Sequence, residues 1–154
     1  MLTCLPQSLC SWNYRITGAP SGEALLTFNV FNEQGTITLG GVELAVKKHG
    51  WASGQWSLER SGETYASAQK PSALFRSYDV QCGDSQITVK AYSPFSRCFQ
   101  ILDGGAVVGT IQPVHLFTRR ATVECSDSVP ELAQLFAFWL AVIAWRRQAK
   151  SNNS

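Results

Sequence analysis

Residues 135–145 read LFAFWLAVIAW, eleven positions without a polar side chain, and this run constrains the fold more than any other feature of the chain. A helix that is apolar along one stripe lies on a surface, whereas a helix that is apolar all round must be surrounded. Only a bilayer or protein on every side can surround it. Length separates the two. A spanning helix needs about 20 apolar residues, while eleven residues cover about 16 Å at 1.5 Å per residue. Gln134 and Glu131 interrupt the run on one side and Arg146 on the other. The run is expected to be a buried core helix. Its start carries the pattern of a capping box, with Ser128 as N-cap, Glu131 three residues on and Pro130 in the first turn. Arg146, Arg147 and Lys150 place cations where the helix dipole is negative.

The preceding 125 residues must supply the wall around this helix. They read as short strands at 13–17, 24–31, 36–39, 42–46, 55–60, 63–67, 74–81, 86–91, 99–102, 106–111 and 116–124, separated by turn residues. Gly40-Gly41, Ser61-Gly62 and Asp103-Gly104-Gly105 are hairpin signals. In 86–91 the side chains of Ile87, Val89 and Ala91 share one face, and Gln86, Thr88 and Lys90 share the other. Half-buried strands need apolar material to cover, and a closed barrel of many strands has an interior too wide for its own side chains to fill. The expected architecture is a closed antiparallel β-barrel of about 11–12 strands enclosing a hydrophobic C-terminal α-helix. It forms one domain over 1–150, with the central helix at 129–148 and a frayed tail at 151–154.

Composition narrows the function. Hydrophobic residues make up 45% of the 154 and charged residues 16%, so little of the chain is available for disorder. Thirteen basic against eleven acidic side chains leave a net charge of +2, too balanced for a nucleic-acid partner. Five cysteines with irregular spacing and no CxxC point to free thiols in a reducing cytoplasm. The N-terminus lacks the basic region and apolar run of a secretory signal peptide. Closely spaced metal-ligand pairs are missing, and no phosphate-binding loop precedes a helix, so no metal or cofactor is expected. His49 and His115 are the two histidines. His49 has no orienting carboxylate nearby in sequence, and Cys98 with His115 is a weak nucleophilic pairing. No catalytic residue is assigned, and the chain is expected not to be an enzyme. Trp12, Trp51 and Trp56 fall in the strand and loop region, where core packing is expected for at least two of them.

Residues 75–147 carry a resemblance. Here FRSYDVQCGDSQITVKAYSPFSRCFQILDGGAVVGTI leads through a long strand into the buried helix. The succession of an SRCFQI strand, a DGG hairpin, a VVGTI strand and the apolar helix resembles the tubby-like barrel of Tubby C-terminal domains, plant LURP-one-related proteins and phospholipid scramblases. The resemblance implies twelve strands around a hydrophobic helix. It also implies a non-enzymatic binding or scaffold module, a monomer that is cytoplasmic or peripheral to a membrane, with anionic phospholipid headgroups or another protein as partner. The calcium-binding segment of scramblases and the basic insertion of Tubby have no counterpart here, so neither activity transfers residue by residue. The basic pairs Lys47-Lys48 and Arg119-Arg120 are the candidate anion-binding residues. The alternatives are an interaction or structural barrel with no lipid role and a membrane-inserted, scramblase-like protein. A lipocalin, suggested by Gly54-Gln55-Trp56, would need an amphipathic outer helix, which this chain does not have.

Overall fold

The computed structural model describes residues 1–50 and 54–154. Twelve strands follow one another: β1 (Leu2–Pro6), β2 (Tyr14–Thr17), β3 (Ala24–Phe28), β4 (Gly35–Leu39), β5 (Val42–Lys48) and β6 (Gln55–Arg60) form the first half. The second half is β7 (Glu63–Gln69), β8 (Ser77–Cys82), β9 (Ser85–Ala91), β10 (Phe99–Asp103), β11 (Ala106–Pro113) and β12 (Ala121–Cys125). Each pairs antiparallel with its neighbours in sequence, and β1 pairs with β12 through Leu2 opposite Val123, closing the barrel. Closure leaves no sheet edge to recruit other chains.

Strand alternation sorts the side chains as expected. Tyr14 and Ile16 of β2 point inward and Arg15 and Thr17 outward; Ile87, Val89 and Ala91 of β9 are all buried. At Gly40-Gly41 both residues take positive φ, 56° and 83°, which a two-residue turn between β4 and β5 requires and a side chain would strain.

The helix α1 (Glu131–Asn152) runs inside this wall, and every side chain from 135 to 145 is buried. Its aromatic residues make the main contacts. Trp139 stacks on Phe28 with ring centroids 5.1 Å apart, and Phe138 meets Tyr14 edge-on at 4.9 Å. Twelve strands about 4.8 Å apart, tilted by about 40°, close a ring about 24 Å across. A helix with its side chains occupies about 10–12 Å of that, and the inward side chains of the wall fill the rest.

Several expectations require correction. β1 was not among the expected strands because Pro6 interrupts its sequence. Pro6 occupies the last position of the strand, where a missing N–H is tolerated. Three strands are shorter than the apolar runs that suggested them: 24–31 stops at Phe28, 74–81 begins at Ser77, and 116–124 begins at Ala121. The surplus apolar residues stand in loops. The helix does not use the capping box. Pro130 occupies the N-cap with no side-chain hydrogen bond, and Ser128 bonds Ser126. Glu131 instead accepts from the Ser21 amide at 3.0 Å and from its hydroxyl, tying the helix start to the barrel rim. The helix extends beyond 148 to Asn152, so half of the expected frayed tail is its last turn.

Losing a buried tryptophan costs about 3–5 kcal/mol, so Trp139→Ala is expected to lower the denaturation midpoint by a large part of the total stability. Equilibrium denaturation followed by circular dichroism measures this. An unchanged midpoint would contradict the central packing of α1.

Candidate functional site

Because the strands alternate in direction, successive connections alternate between the two ends of the barrel. At one end four of the five strand connections are two-residue turns, at 40–41, 61–62, 83–84 and 104–105, and the fifth is 18–23. At the other end the connections 7–13, 29–34, 49–54, 70–76, 92–98 and 114–120 are all six or seven residues long. The helix enters at the turn end, where Glu131 meets Ser21, and its last turns reach the loop end, where Arg146 meets Asn29.

Charge is divided in the same way. The loop-end connections and the last two turns of α1 carry Lys70, Arg76, Arg97, Arg119, Arg120, Arg146, Arg147 and Lys150 against one carboxylate, Glu33. Eight cations less one carboxylate give +7. The turn-end connections and the helix start carry Glu23, Asp84, Asp127 and Glu131 with no lysine or arginine, giving −4.

The arginines at the loop end form a relay of clamps. Arg76 donates to the carbonyls of Ser93 (2.9 Å), Pro94 (2.8 Å) and Ser96 (2.5 Å) in the 92–98 loop. Arg97, in that loop, donates to Leu116 (3.1 Å) and Thr118 (2.7 Å) in the 114–120 loop. Arg119, in turn, donates to Ser8 (2.9 Å), Leu9 and Ser11 in the 7–13 loop. Arg146 reaches from the helix to Asn29 at 3.0 Å and Asn32 at 3.4 Å in the 29–34 loop. Each guanidinium also lies over an aromatic ring, those of Phe99, Trp145, Trp12 and Phe28 respectively, at 5.2–5.8 Å from the centroid. A planar fork of donors can hold several carbonyls at once, which a lysine ammonium does less well. The 92–98, 114–120, 7–13 and 29–34 loops are thereby held, and positive charge is held with them.

Glu33 sits beneath this ring. It accepts from Lys48 Nζ at 2.8 Å and from Arg147, whose second contact is 2.6 Å. Burial acts to raise its pKa, but the Arg147 and Lys48 hydrogen bonds outweigh it and hold the carboxyl below its ordinary value. Nearby, burial pushes the Tyr78 hydroxyl up to about 12.

The expected anion-binding residues are thus dispersed into different roles. Lys47 pairs with Glu59 at 3.7 Å on the outer wall, and Lys48 is turned inward onto Glu33 and the Trp56 ring. Arg119 is a clamp, and Arg120 is exposed. The two pairs share the loop end but lie far apart around it, four strands separating β5 from β12 by the shorter way. Trp56 is core, Trp12 packs half-buried at its edge, and Trp51 lies outside the described residues. Cys98 and His115 are not joined: His115 Nδ1 accepts from the Phe117 amide in its own loop. His49 does have a carboxylate nearby, brought by the β5–β6 pairing: its Nε2 lies 2.5 Å from Ser57 Oγ and 3.7 Å from Glu59. All five cysteines are free, and the described residues contain no cluster able to hold a metal.

Sequence reasoning missed the clamps. A signal was present: Phe75-Arg76, Phe95-Ser96-Arg97 and Phe117-Thr118-Arg119 repeat an aromatic residue just before an arginine, at spacings of 21 and 22 residues. That spacing is two strands and two connections, the repeat of the meander itself.

Two outcomes follow. Glu33→Gln is expected to lose about 1–3 kcal/mol, the scale of hydrogen bonds to charged groups. Because the folded-state pKa is lowered, this contribution is present above the unfolded value of about 4.3 and fades as the pH falls below it. The wild type should therefore lose stability in acid more steeply than the variant, as read from melting temperature against pH. Arg97→Lys keeps the charge and removes the fork, and is expected to speed amide hydrogen exchange in 114–120 while leaving the strands protected.

Comparison with protein-family models, with curated proteins and with solved structures finds no match to this chain, which leaves the geometry of the loop end to carry the functional reading.

Proposed function

We propose that this chain is a non-enzymatic lipid-binding module of the tubby-like, LURP-one-related and scramblase-like type. It works as a cytoplasmic monomer that docks peripherally on anionic phospholipid headgroups through its loop end. The observation that carries this reading is the separation of charge along the barrel, +7 at the loop end and −4 at the turn end, in a chain whose net charge is only +2. Cations near an anionic leaflet contribute about 1 kcal/mol each, so the molecule is attracted and oriented together. A peripheral mode fits the helix: among the described residues none is long and apolar enough to cross a membrane, and α1 spends its apolar surface on the barrel.

The polar groups support binding over turnover. The barrel interior is filled by α1, and the His49, Ser57 and Glu59 group lies on the outer wall. There the serine stands between the histidine and the carboxylate, and it bonds both. In a nucleophilic triad the histidine stands between them, oriented by the acid through its other nitrogen.

Cosedimentation with vesicles tests the reading. Binding is expected with phosphatidylserine-containing vesicles, not with phosphatidylcholine alone, and should weaken as salt shortens the Debye length below about 8 Å. The double reversal Arg120→Glu with Lys150→Glu should weaken it, whereas reversal at Glu23 and Asp84 should not. Equal binding to neutral vesicles, or no binding to either, would overturn it.

A further inference from the structure

Resting on that reading, we infer that the loop end does more than face an anionic bilayer: its apolar loop tips insert below the phosphates as separate anchors, while the arginine ring remains at headgroup level. Of the fourteen large apolar side chains exposed among the described residues, ten stand in the loop-end connections. Five loops each present a tip almost fully in solvent: Leu9 is 95% exposed, Phe31 94%, Leu74 87%, Phe95 85% and Phe117 95%. Apolar exposure concentrated on one surface marks an interaction site in a folded domain. The turn-end connections carry no exposed residue of this kind.

Three of the tips are held, not loose. The carbonyls of Leu9 and Leu116 accept hydrogen bonds from Arg119 and Arg97, and that of Pro94, next to Phe95, accepts from Arg76. At each of these three tips a guanidinium holds the backbone while the apolar side chain stands in solvent. The entropy of ordering these loops has thus been met in folding, before any encounter with a surface. Each anchor also has a cation one or two residues away in three of the loops, at Arg76, Arg97 and Arg119. Aromatic and aliphatic groups penetrating the headgroup boundary beside cations that stay in it is the arrangement by which interfacial proteins hold anionic membranes.

Charge and layout select the bilayer among possible occupants. A second copy meeting this one loop end to loop end would set +7 against +7. A folded partner would have to offer a separate pocket for each tip around a rim about 24 Å across. A bilayer needs no such match, because each tip finds hydrocarbon wherever it enters, and anionic headgroups answer the ring of cations. The barrel then stands on its loop end, with Glu23, Asp84 and Asp127 at the far end in water.

The test uses the full chain with phosphatidylserine-containing vesicles. An environment-sensitive fluorophore is placed on Cys10, the exposed thiol beside Leu9, and in a second preparation, in which Cys10→Ser removes that thiol, on the new thiol of Asp84→Cys at the turn end. Insertion predicts a blue shift and quenching by spin-labelled lipid at Cys10 and neither at the turn end. Phe31→Ser and Phe117→Ser should each weaken binding by about tenfold, since burying part of a phenyl ring is worth roughly one decade of affinity. Both side chains lie in solvent, so the melting temperature should stay unchanged, and a fraction of wild-type protein should resist a high-salt wash. Binding with a silent Cys10 probe, complete release by salt and unaffected Phe variants would overturn insertion while leaving electrostatic docking in place. Equal signals from both probes would overturn the orientation. Failure to bind these vesicles at all would overturn both insertion and the lipid-binding reading.

Discussion

A helix with no polar face has to be enclosed, and that requirement governs the rest of the molecule. An open sheet could shelter only one side of α1. Closing twelve strands around it shelters all sides and satisfies the backbone of every strand in the same step. The fit works in both directions. Without α1 the interior would be a void lined by Tyr14, Phe28, Trp56 and Tyr78; without the barrel, residues 135–145 would have no aqueous environment in which to fold. Length adds a further consequence. Twenty-two helical residues extend about 33 Å at 1.5 Å each, whereas the strands, of four to eight residues, make a shorter and tilted wall. The helix therefore outruns its sheath, and its cationic end emerges among the loops.

The two ends of the barrel solve different problems. At the turn end four of the five strand connections are two-residue turns, with glycines supplying the backbone geometry. They expose no large apolar side chain and carry Glu23 and Asp84. At the loop end six or seven residues per connection would ordinarily remain mobile. Here each of four guanidinium groups lies over an aromatic ring on one side and holds a loop's carbonyls on the other. The arginines thus belong both to the architecture and to the surface potential. Glu33 is the exception in sign at that end, and it lies inside the ring between Lys48 and Arg147, where it joins the helix to β5.

How much of this was legible in the sequence depended on the range of the interactions concerned. The helix, its burial and the closed barrel followed from one apolar run and from strand punctuation, because both are local patterns with a single packing solution. β1 escaped because Pro6 breaks its pattern, and its role, pairing with β12, is a contact between the two ends of the domain. Three strands end before the apolar runs around them do. Leu74, Phe75, Leu116, Phe117, Val30 and Phe31 are apolar, and apolar residues beside a strand read as more strand. They stand exposed in loops instead. Local pattern treats apolarity as a sign of burial, and fails where the protein keeps apolar side chains in solvent. The candidate site was partly legible for the same reason. Arg119 and Lys48 were singled out as cations, but their partners, the 7–13 loop and Glu33, lie far away in sequence.

The pairing of β1 with β12 also sets the order in which this fold can be completed. Leu2 finds its partner in Val123, and the helix that must occupy the interior follows later still in the chain. While the chain emerges, β2 to β11 can pair with their neighbours, but the growing sheet keeps two open edges and an uncovered apolar face. Contacts that join distant parts of a chain form slowly, and unpaired edges are where intermediates aggregate. The helix cannot thread into a finished barrel, because the wall and its fillings interlock. The sheet must wrap around α1 as it closes, and the β1–β12 seam joins the most distant strands of the chain. Completion of this fold is thus a late, all-or-none event, and the long apolar segment that stabilises the native state is the one most in need of protection until then.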